Sequence, residues 1–249
     1  MVVSRPLPAA TASYEQTAGG GLTVTGEGPD AGRYRVGVLG DLGRATRVAV
    51  VVPGAGNDVG SFTTSRVGPW ANARNLYAQA QRQHRASGLA VVAWLGYVPP
   101  ASVADAAFHA DGIDQGAANL AALQTWLAGR TPGARVTWVC HSWGSLVCAA
   151  ALRDAQPAAL VLVGSPGVEY ADVLDMPFDG PVYAGRGAQD LIRYAGLLSL
   201  LGVGFGPDPA DPAFGAVAIP TDPGCQHSGY FTPGSAQLDA LVRVVSTAA

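Results

Sequence analysis

The pattern of hydrophobic and polar positions changes character near residue 47. Before it, apolar and polar residues alternate in LTVTG (22–26) and RYRVGVLG (33–40), which predicts strands with one buried face. After it come short continuous apolar runs, typical of strands that are covered on both faces of a parallel sheet. These runs are RVAVVVPG (47–54), LAVVAWLGY (89–97), RVTWVCHS (135–142), AALVLVGSPG (158–167) and GPVYAG (180–185).

Segments of helical length separate these runs, and a last strand, GAVAIP (215–220), precedes a last helix. In one segment, four apolar residues fall largely on one helical face: Ile113, Leu120, Leu123 and Leu127. The alternation predicts an α/β fold with a mostly parallel, doubly wound sheet and helices on both faces. The predicted helices are Trp70 to Arg85, Gly112 to Ala128, Trp143 to Asp154, Asp190 to Leu201 and Ser235 to Thr247.

The N-terminal residues are small and polar and end in three glycines. We therefore predict a flexible arm over residues 1–21, followed by a single domain over 22–249. A chain of 249 residues is long enough to bury a substantial core in one α/β domain.

Composition and charge narrow the classes of function. The net charge is −3 and no basic stripe is visible, which argues against a nucleic-acid partner. No apolar run approaches the roughly 20 residues of a membrane-spanning helix, so no membrane span is predicted. No signal peptide is visible either, and we predict a cytoplasmic protein.

The three cysteines, Cys140, Cys148 and Cys225, fit no zinc pattern, and an odd number makes a poor disulfide framework. We predict that they are small buried residues.

Polar groups follow the predicted strands at the edge where ligands of such sheets bind. GAGND (54–58) follows the first buried run, and His141-Ser142-Trp143-Gly144 follows the third. Asp190 ends the loop after GPVYAG, and His227 ends the loop after GAVAIP. Serine, aspartate and histidine thus come in the chain order of an α/β-hydrolase triad.

Ser142 lies in WVCHSWGSL (138–146), between an apolar run and a predicted helix. A reactive serine on such a turn needs small residues two positions before and after it. Gly144 meets this need, and Cys140, although larger than glycine, is still small. We favour a nucleophile, with a helix-capping serine as the alternative.

His227 is the predicted base. His84 lies in a polar helix end and His109 before a helix, where it could line a cleft. His141 adjoins Ser142, and neighbouring side chains of an extended segment point to opposite sides. His227, on the loop after the last strand, is the histidine that the fold would bring over the serine.

Asp190 is the predicted acid, because it stands between serine and histidine in sequence and just past a strand. Glu169 and Asp172 follow the preceding strand and are rivals. Three more aspartates lie in proline-rich turns, where aspartate commonly shapes the backbone: Asp208, Asp211 and Asp222.

Acyl transfer also requires donors for an oxyanion. The backbone N–H of Trp143 is one candidate, and Ala55, with Gly54 as the close alternative, supplies the other. The glycine-rich GAGNDVG lacks the spacing and the lysine of phosphate-binding loops, so a simple tight turn is the remaining alternative.

Several blocks together resemble an actinobacterial α/β-hydrolase family long known as a domain of unknown function. They are GDLGRATRVAVVVPGAG (40–56), VVAWLGY (91–97), VTWVCHSWGSLV (136–147), VGSPGV (163–168), GPDPADPAFGA (206–216) and HSGYF (227–231). The resemblance implies an α/β-hydrolase fold with Ser142, Asp190 and His227 as the triad. Cys140 and Trp143 depart from the family's Gly-His-Ser-Tyr-Gly turn, and Val98 stands where the family tends to carry an acidic residue.

We therefore predict a serine hydrolase that cleaves a small-molecule carboxylic ester or thioester and needs no metal or cofactor. Leu198 and Leu201 lie between the acid and the base and could wall an acyl pocket, or simply pack a helix on the sheet. Two alternatives remain open: an acyltransferase or lactone-forming enzyme with the same triad, and a non-catalytic hydrolase-fold protein that binds a ligand. The sequence does not indicate an oligomeric state.

Overall fold

The structure, a computed structural model, describes residues 6–17, 21–102, 105, 110–194 and 205–247. Within this part, the main sheet has seven strands in the order β3-β5-β4-β6-β7-β8-β9. β3 pairs antiparallel with β5, and the other neighbours pair in parallel. The strands are β3 (Arg35–Leu39), β4 (Arg47–Val52), β5 (Leu89–Leu95), β6 (Arg135–His141), β7 (Ala159–Val163), β8 (Val182–Gly185) and β9 (Val217–Ala218).

Helices cover both faces of this sheet. On one face, Val50 of β4 belongs to the same core as Leu120 of α2 and Val147 of α3. On the other, Val51 belongs to the core that holds Leu76 of α1 and Leu241 of α4. Continuous apolar runs are therefore buried on both sides, and the predicted α/β fold with a mostly parallel sheet is confirmed. The helices are α1 (Pro69–Arg82), α2 (Ala110–Arg130), α3 (Gly144–Ala151) and α4 (Ala236–Ser246).

A hairpin of β1 (Ala12–Gln16) and β2 (Leu22–Gly26) forms a separate two-stranded sheet. Asn119 of α2 holds it, because its Oδ1 accepts hydrogen bonds from the backbone N–H groups of Thr11 and Ala12 at 2.8 and 3.0 Å. Residues 12–16 lie inside the predicted flexible arm but form a packed strand, since Tyr14 is buried against the domain. The single domain over 22–249 stays a prediction.

Two predicted helices differ from the structure. The segment after β6 becomes helical only at Gly144 and ends at Ala151, within the predicted 143–154. After Asp190 the chain forms a 3₁₀ turn, Leu191–Tyr194, and the rest of the helix predicted over 190–201 lies outside the described residues. Among the helices that are described, none is both long and apolar enough to cross a bilayer.

Candidate active site

Ser142 stands on a sharp turn between β6 and α3. Its backbone φ of +53° lies in the left-handed region, which is uncommon for a residue other than glycine and stores strain. The Ser142 N–H bonds the Val163 carbonyl at 3.0 Å, which anchors the turn to β7. Gly144 allows the close approach of β4, because a Cβ there would lie 2.5 Å from the Pro53 carbonyl oxygen. The backbone thus has the form of a reactive-serine turn.

Cys140 and Cys148 form a disulfide that joins the end of β6 to α3 beneath this turn. All three cysteines are buried, as predicted, but the argument against a disulfide from their odd number is wrong, because this pair is bonded and Cys225 alone is free. The odd number of cysteines was a poor guide, because two of the three can form a disulfide and leave the third as a free thiol. Protein disulfides persist mainly in oxidising compartments. The cytoplasmic location stays a prediction that the disulfide does not favour.

Ser142, His227 and Asp190 lie in one hydrogen-bonded chain. The Nε2 atom of His227 lies 2.8 Å from Ser142 Oγ. Its Nδ1 atom lies 3.0 Å from both carboxylate oxygens of Asp190. An ionised carboxylate only accepts, so Nδ1 carries the proton and Nε2 is free to accept the serine proton. The structure thus brings together the three residues that the sequence singles out.

Asp190 is fully buried, with a relative exposure of 0%. Burial by itself raises the pKa of Asp190, but hydrogen bonds from His227, Tyr230 and the Ile192 backbone reverse this and hold the pKa below its ordinary value. The Ile192 N–H lies 2.9 Å from Oδ1, and the Tyr230 hydroxyl lies 2.5 Å from Oδ2. Asp190 therefore stays charged without contact with bulk water.

From strand alternation we predicted that the His141 side chain points away from Ser142. The structure instead places its ring beside His227. Its Nε2–H donates to the His227 backbone carbonyl at 2.7 Å, and the two rings lie 4.9 Å apart. Alternation fails here because Ser142 leaves the extended conformation immediately after His141. Burial, together with the nearby His227, lowers the pKa of His141 to about 4, so its ring is neutral near pH 7.

The other candidate acids are engaged elsewhere. Glu169 lies 3.7 Å from the guanidinium of Arg153. Asp172 accepts backbone N–H groups of its own turn, as Asp208 and Asp211 also do, and Asp208 pairs with Arg186. Asp222 accepts the Ala236 N–H at the start of α4.

Of the other candidate histidines, the structure describes only His84, which does not join the hydrogen-bonded chain of Ser142. His84 follows α1 on its own turn, with φ +55°. His109 lies outside the described residues.

The loop after β4 lies against the serine. A Cβ added to Gly54 would lie 2.5 Å from Ser142 Cβ, so no larger residue fits without movement. Asn57 Nδ2 donates to the carbonyls of Gly54 and Ala55 at 3.0 and 3.2 Å. Tyr97 donates its hydroxyl to the Pro53 carbonyl at 2.6 Å. Side chains thus fix the direction of successive peptide groups beside Ser142.

A cavity of about 230 Å³ opens at Ser142. Its described walls are small and largely polar. Leu198 and Leu201, which were predicted to wall an acyl pocket or to pack a helix, lie outside the described residues. Phe205 packs edge-on against Trp143 with ring centroids 5.2 Å apart. The cavity is lined by Ala55, Gly56, Asn57, Ser65, Val67, Ala101, Ser102, His141, Ser142, His227 and Ser228.

Sequence reasoning missed Tyr230, which contacts Asp190, and Asn57, which contacts the loop after β4. Tyr230 stands in HSGYF, three residues after His227, and Asn57 within GAGND, so both lay inside blocks already singled out. Among the described residues, no group of three or more histidine, cysteine or acidic side chains could hold a metal ion.

A sequence model of the alpha/beta hydrolase family matches residues 29–200. The chain belongs to this family, as the blocks in its sequence indicate. Two solved structures show a similar fold at 16% identity. Esterase PE8 has a TM-score of 0.52, with 85% of this chain and 97% of that chain covered. A carboxylesterase from Mesorhizobium loti has a TM-score of 0.51, with 86% and 95% covered.

Two curated relatives come from Mycobacterium tuberculosis, the uncharacterized proteins MT2140 (strain CDC 1551 / Oshkosh) and Rv2079 (strain ATCC 25618 / H37Rv). Each is 30% identical over 243 residues, an alignment that covers 84% of this chain and 36% of the relative. The chain therefore spans about a third of their length. These relatives confirm the actinobacterial resemblance.

Proposed function

We propose that this protein is a serine hydrolase that cleaves a carboxylic ester or thioester through Ser142, His227 and Asp190. The observation that carries the proposal is the unbroken chain from Ser142 Oγ through His227 to Asp190. This chain of hydrogen bonds begins at a serine whose left-handed backbone conformation projects the hydroxyl into a cavity.

Acylation begins when His227 Nε2 takes the hydroxyl proton while Ser142 Oγ attacks the substrate carbonyl carbon. The tetrahedral intermediate then collapses, and the imidazolium returns the proton to the departing alcohol or thiol. Asp190 fixes the tautomer of His227 and stabilises its positive charge during these steps. A water molecule, activated in turn by His227, attacks the acyl-enzyme and releases the acid.

The backbone N–H groups of Ala55 and Trp143 are the proposed oxyanion donors. The Gly54 carbonyl and the Ala55 N–H belong to one planar peptide group and point in opposite directions. The hydrogen bond that Asn57 donates to the Gly54 carbonyl therefore also fixes the direction of the Ala55 N–H. A donor fixed before the substrate arrives costs no reorganisation during the reaction.

Labelling by a fluorophosphonate probe tests the nucleophile. Wild type should be labelled and should hydrolyse p-nitrophenyl esters, whereas Ser142→Ala and His227→Ala should each lose nearly all turnover. The double variant should be scarcely worse than either single one, since the two groups act in one step. Ser13→Ala, which removes an exposed serine of β1, is the matched control and should behave as wild type.

Two results would redirect the proposal. A folded wild-type protein without Ser142-dependent labelling would contradict it and favour a ligand-binding protein. An ester product that forms with added alcohol in preference to free acid would identify an acyltransferase that uses the same residues.

A further inference from the structure

Tyr230 is a fully buried tyrosine whose hydroxyl contacts the carboxylate of Asp190. It donates to Asp190 Oδ2 at 2.5 Å and accepts the Gly187 N–H at 3.0 Å. The Tyr230 ring packs against Gly164. A Cβ added to Gly164 would lie 2.7 Å from this ring and 3.1 Å from Asp190 Oδ2. The hydroxyl is therefore held on two sides, and its proton has the carboxylate as its acceptor.

The two carboxylate oxygens are held separately. Oδ1 accepts the Ile192 N–H at 2.9 Å, and Oδ2 accepts the Tyr230 hydroxyl. His227 Nδ1 is equidistant from the two oxygens, at 3.0 Å from each. Loss of the hydrogen bond from Ile192 or from Tyr230 would free the carboxylate to rotate. It would also leave more of the negative charge facing His227.

We propose that Tyr230 is a positioning residue that fixes the Asp190 carboxylate toward His227 and shares its charge, thereby setting the pH range in which His227 activates Ser142. The proposal rests on the proposed function, because it assigns Tyr230 a role in the same site. Tyr230 acts through Asp190 and contacts neither Ser142 nor the cavity.

The sign of the effect follows from the groups around His227. Asp190 faces Nδ1, the neutral ring of His141 lies 4.9 Å from the ring, and Ser142 faces Nε2. Burial and the Asp190 carboxylate raise the pKa of both Tyr230 and Cys225, so these two groups stay neutral in the working range. Without the Tyr230 hydroxyl, Asp190 presents more charge to His227 and favours its protonated form.

Tyr230→Phe removes the hydroxyl and keeps the ring. With p-nitrophenyl butyrate as substrate, we expect kcat to fall about tenfold, as for loss of one hydrogen bond to a charged group, with KM nearly unchanged. The acid limb of the pH–kcat/KM profile should move to higher pH by about half a unit. An acid limb that stays in place, or moves to lower pH, would overturn the proposal even if kcat falls.

Tyr34→Phe is the matched control. Tyr34 is also a buried tyrosine whose hydroxyl lies at an aspartate, 3.2 Å from Asp30 Oδ2, but it does not touch the site. Its loss should lower stability without moving the acid limb. An equal shift in both variants would make the Tyr230 effect non-specific and overturn the proposal.

A titration by NMR separates this proposal from the proposed function. In Ser142→Ala protein, the pH at which the His227 ring signals move should rise when Tyr230→Phe is added. This readout needs no turnover. Absence of Ser142-dependent turnover in wild type would contradict the proposed function, and the titration would still decide whether Tyr230 acts on His227.

Site-specific replacement of Tyr230 by 3-fluorotyrosine covers the case in which Tyr230→Phe does not fold. The fluorinated phenol has nearly the same shape but is a stronger donor, so the acid limb should move to lower pH. An unmoved limb in this folded protein would overturn the proposal.

Discussion

The two halves of the site are held by different kinds of contact. On the serine side, the backbone dominates. Ser142 has a left-handed φ, and Gly54 and Gly144 allow neighbouring backbone segments to approach it closely. The Cys140–Cys148 disulfide joins β6 to α3 at the same turn. On the other side, side-chain hydrogen bonds dominate, running from Tyr230 through Asp190 to His227. The difference arises because the serine directly follows a central strand, whereas the acid and base stand on loops after β8 and β9.

The two halves of the site should therefore be sensitive to different kinds of substitution. Added volume should harm the serine side, because its peptide groups have no room to move. A change in charge, or the loss of a hydrogen-bonding proton, should harm the other side even when shape is preserved. Substitutions that change only volume or only charge test this difference.

The largest effect is expected for Asp190→Asn, which preserves shape and removes charge. Its amide would favour the wrong tautomer of His227, and kcat should fall on the order of 10⁴-fold with the fold retained. Glu169→Gln and Asp172→Asn are controls that should each cost less than about tenfold, roughly 1.4 kcal/mol of barrier. Steady-state kinetics with a p-nitrophenyl ester checks all three. A loss under tenfold for Asp190→Asn would remove it as the acid, and a large loss at a control would move the acid there.

A smaller effect is expected for Gly54→Ala, which adds volume and no charge. The new Cβ would lie 2.5 Å from Ser142 Cβ, so the loop must shift and carry the Ala55 N–H with it. Loss of one oxyanion donor predicts a fall in kcat of about 10²- to 10³-fold. Gly129→Ala on α2 is the matched control, since its Cβ would meet nothing within 4 Å. If kcat is the same for both variants, the loop after β4 is not the donor loop.

The smallest effect on catalysis is expected for the disulfide. Replacing both Cys140 and Cys148 by serine should lower the free energy of unfolding by about 2–3 kcal/mol. Backbone bonds from Ser142 to Val163 and Ser145 still hold the turn, so kcat should change by less than about threefold, under 1 kcal/mol of barrier.

Urea unfolding with and without a reductant measures this effect. Wild type with reductant should lose this free energy of unfolding, and the double variant should lose at least as much, because it buries two hydroxyls in place of sulfur. Cys225→Ser should keep the sensitivity of wild type. Detection of three free thiols in unreduced protein would contradict the disulfide.

The sequence predicted much of this arrangement, since continuous apolar runs mark the buried strands and their ends mark the reactive edge. Ser142, Asp190 and His227 were predicted in this way because each follows its own strand. His141 was misjudged because one left-handed residue, invisible in the pattern, interrupts the alternation.

Tyr230 and the disulfide were missed for a related reason. The contact between Tyr230 and Asp190 joins residues 40 positions apart, and no local periodicity reports it. The disulfide bridges a strand end and a helix, whose relative placement only the folded chain defines.

The N-terminal hairpin limits where a shortened version of this protein could begin. Asn119 Oδ1 accepts from Thr11 and Ala12, and Tyr14 accepts from the indole of Trp94 at 2.9 Å. A chain starting at Leu22 would leave the Trp94 indole N–H without its partner, would remove two of the hydrogen bonds that Asn119 Oδ1 accepts, and would uncover the ring of Trp94. Unmet polar groups of this kind are costly, about 1–3 kcal/mol each. A shortened protein that begins at Leu22 would thus be less stable, whereas one that retains the chain from Leu7 onward keeps all the hydrogen bonds between the hairpin and the domain.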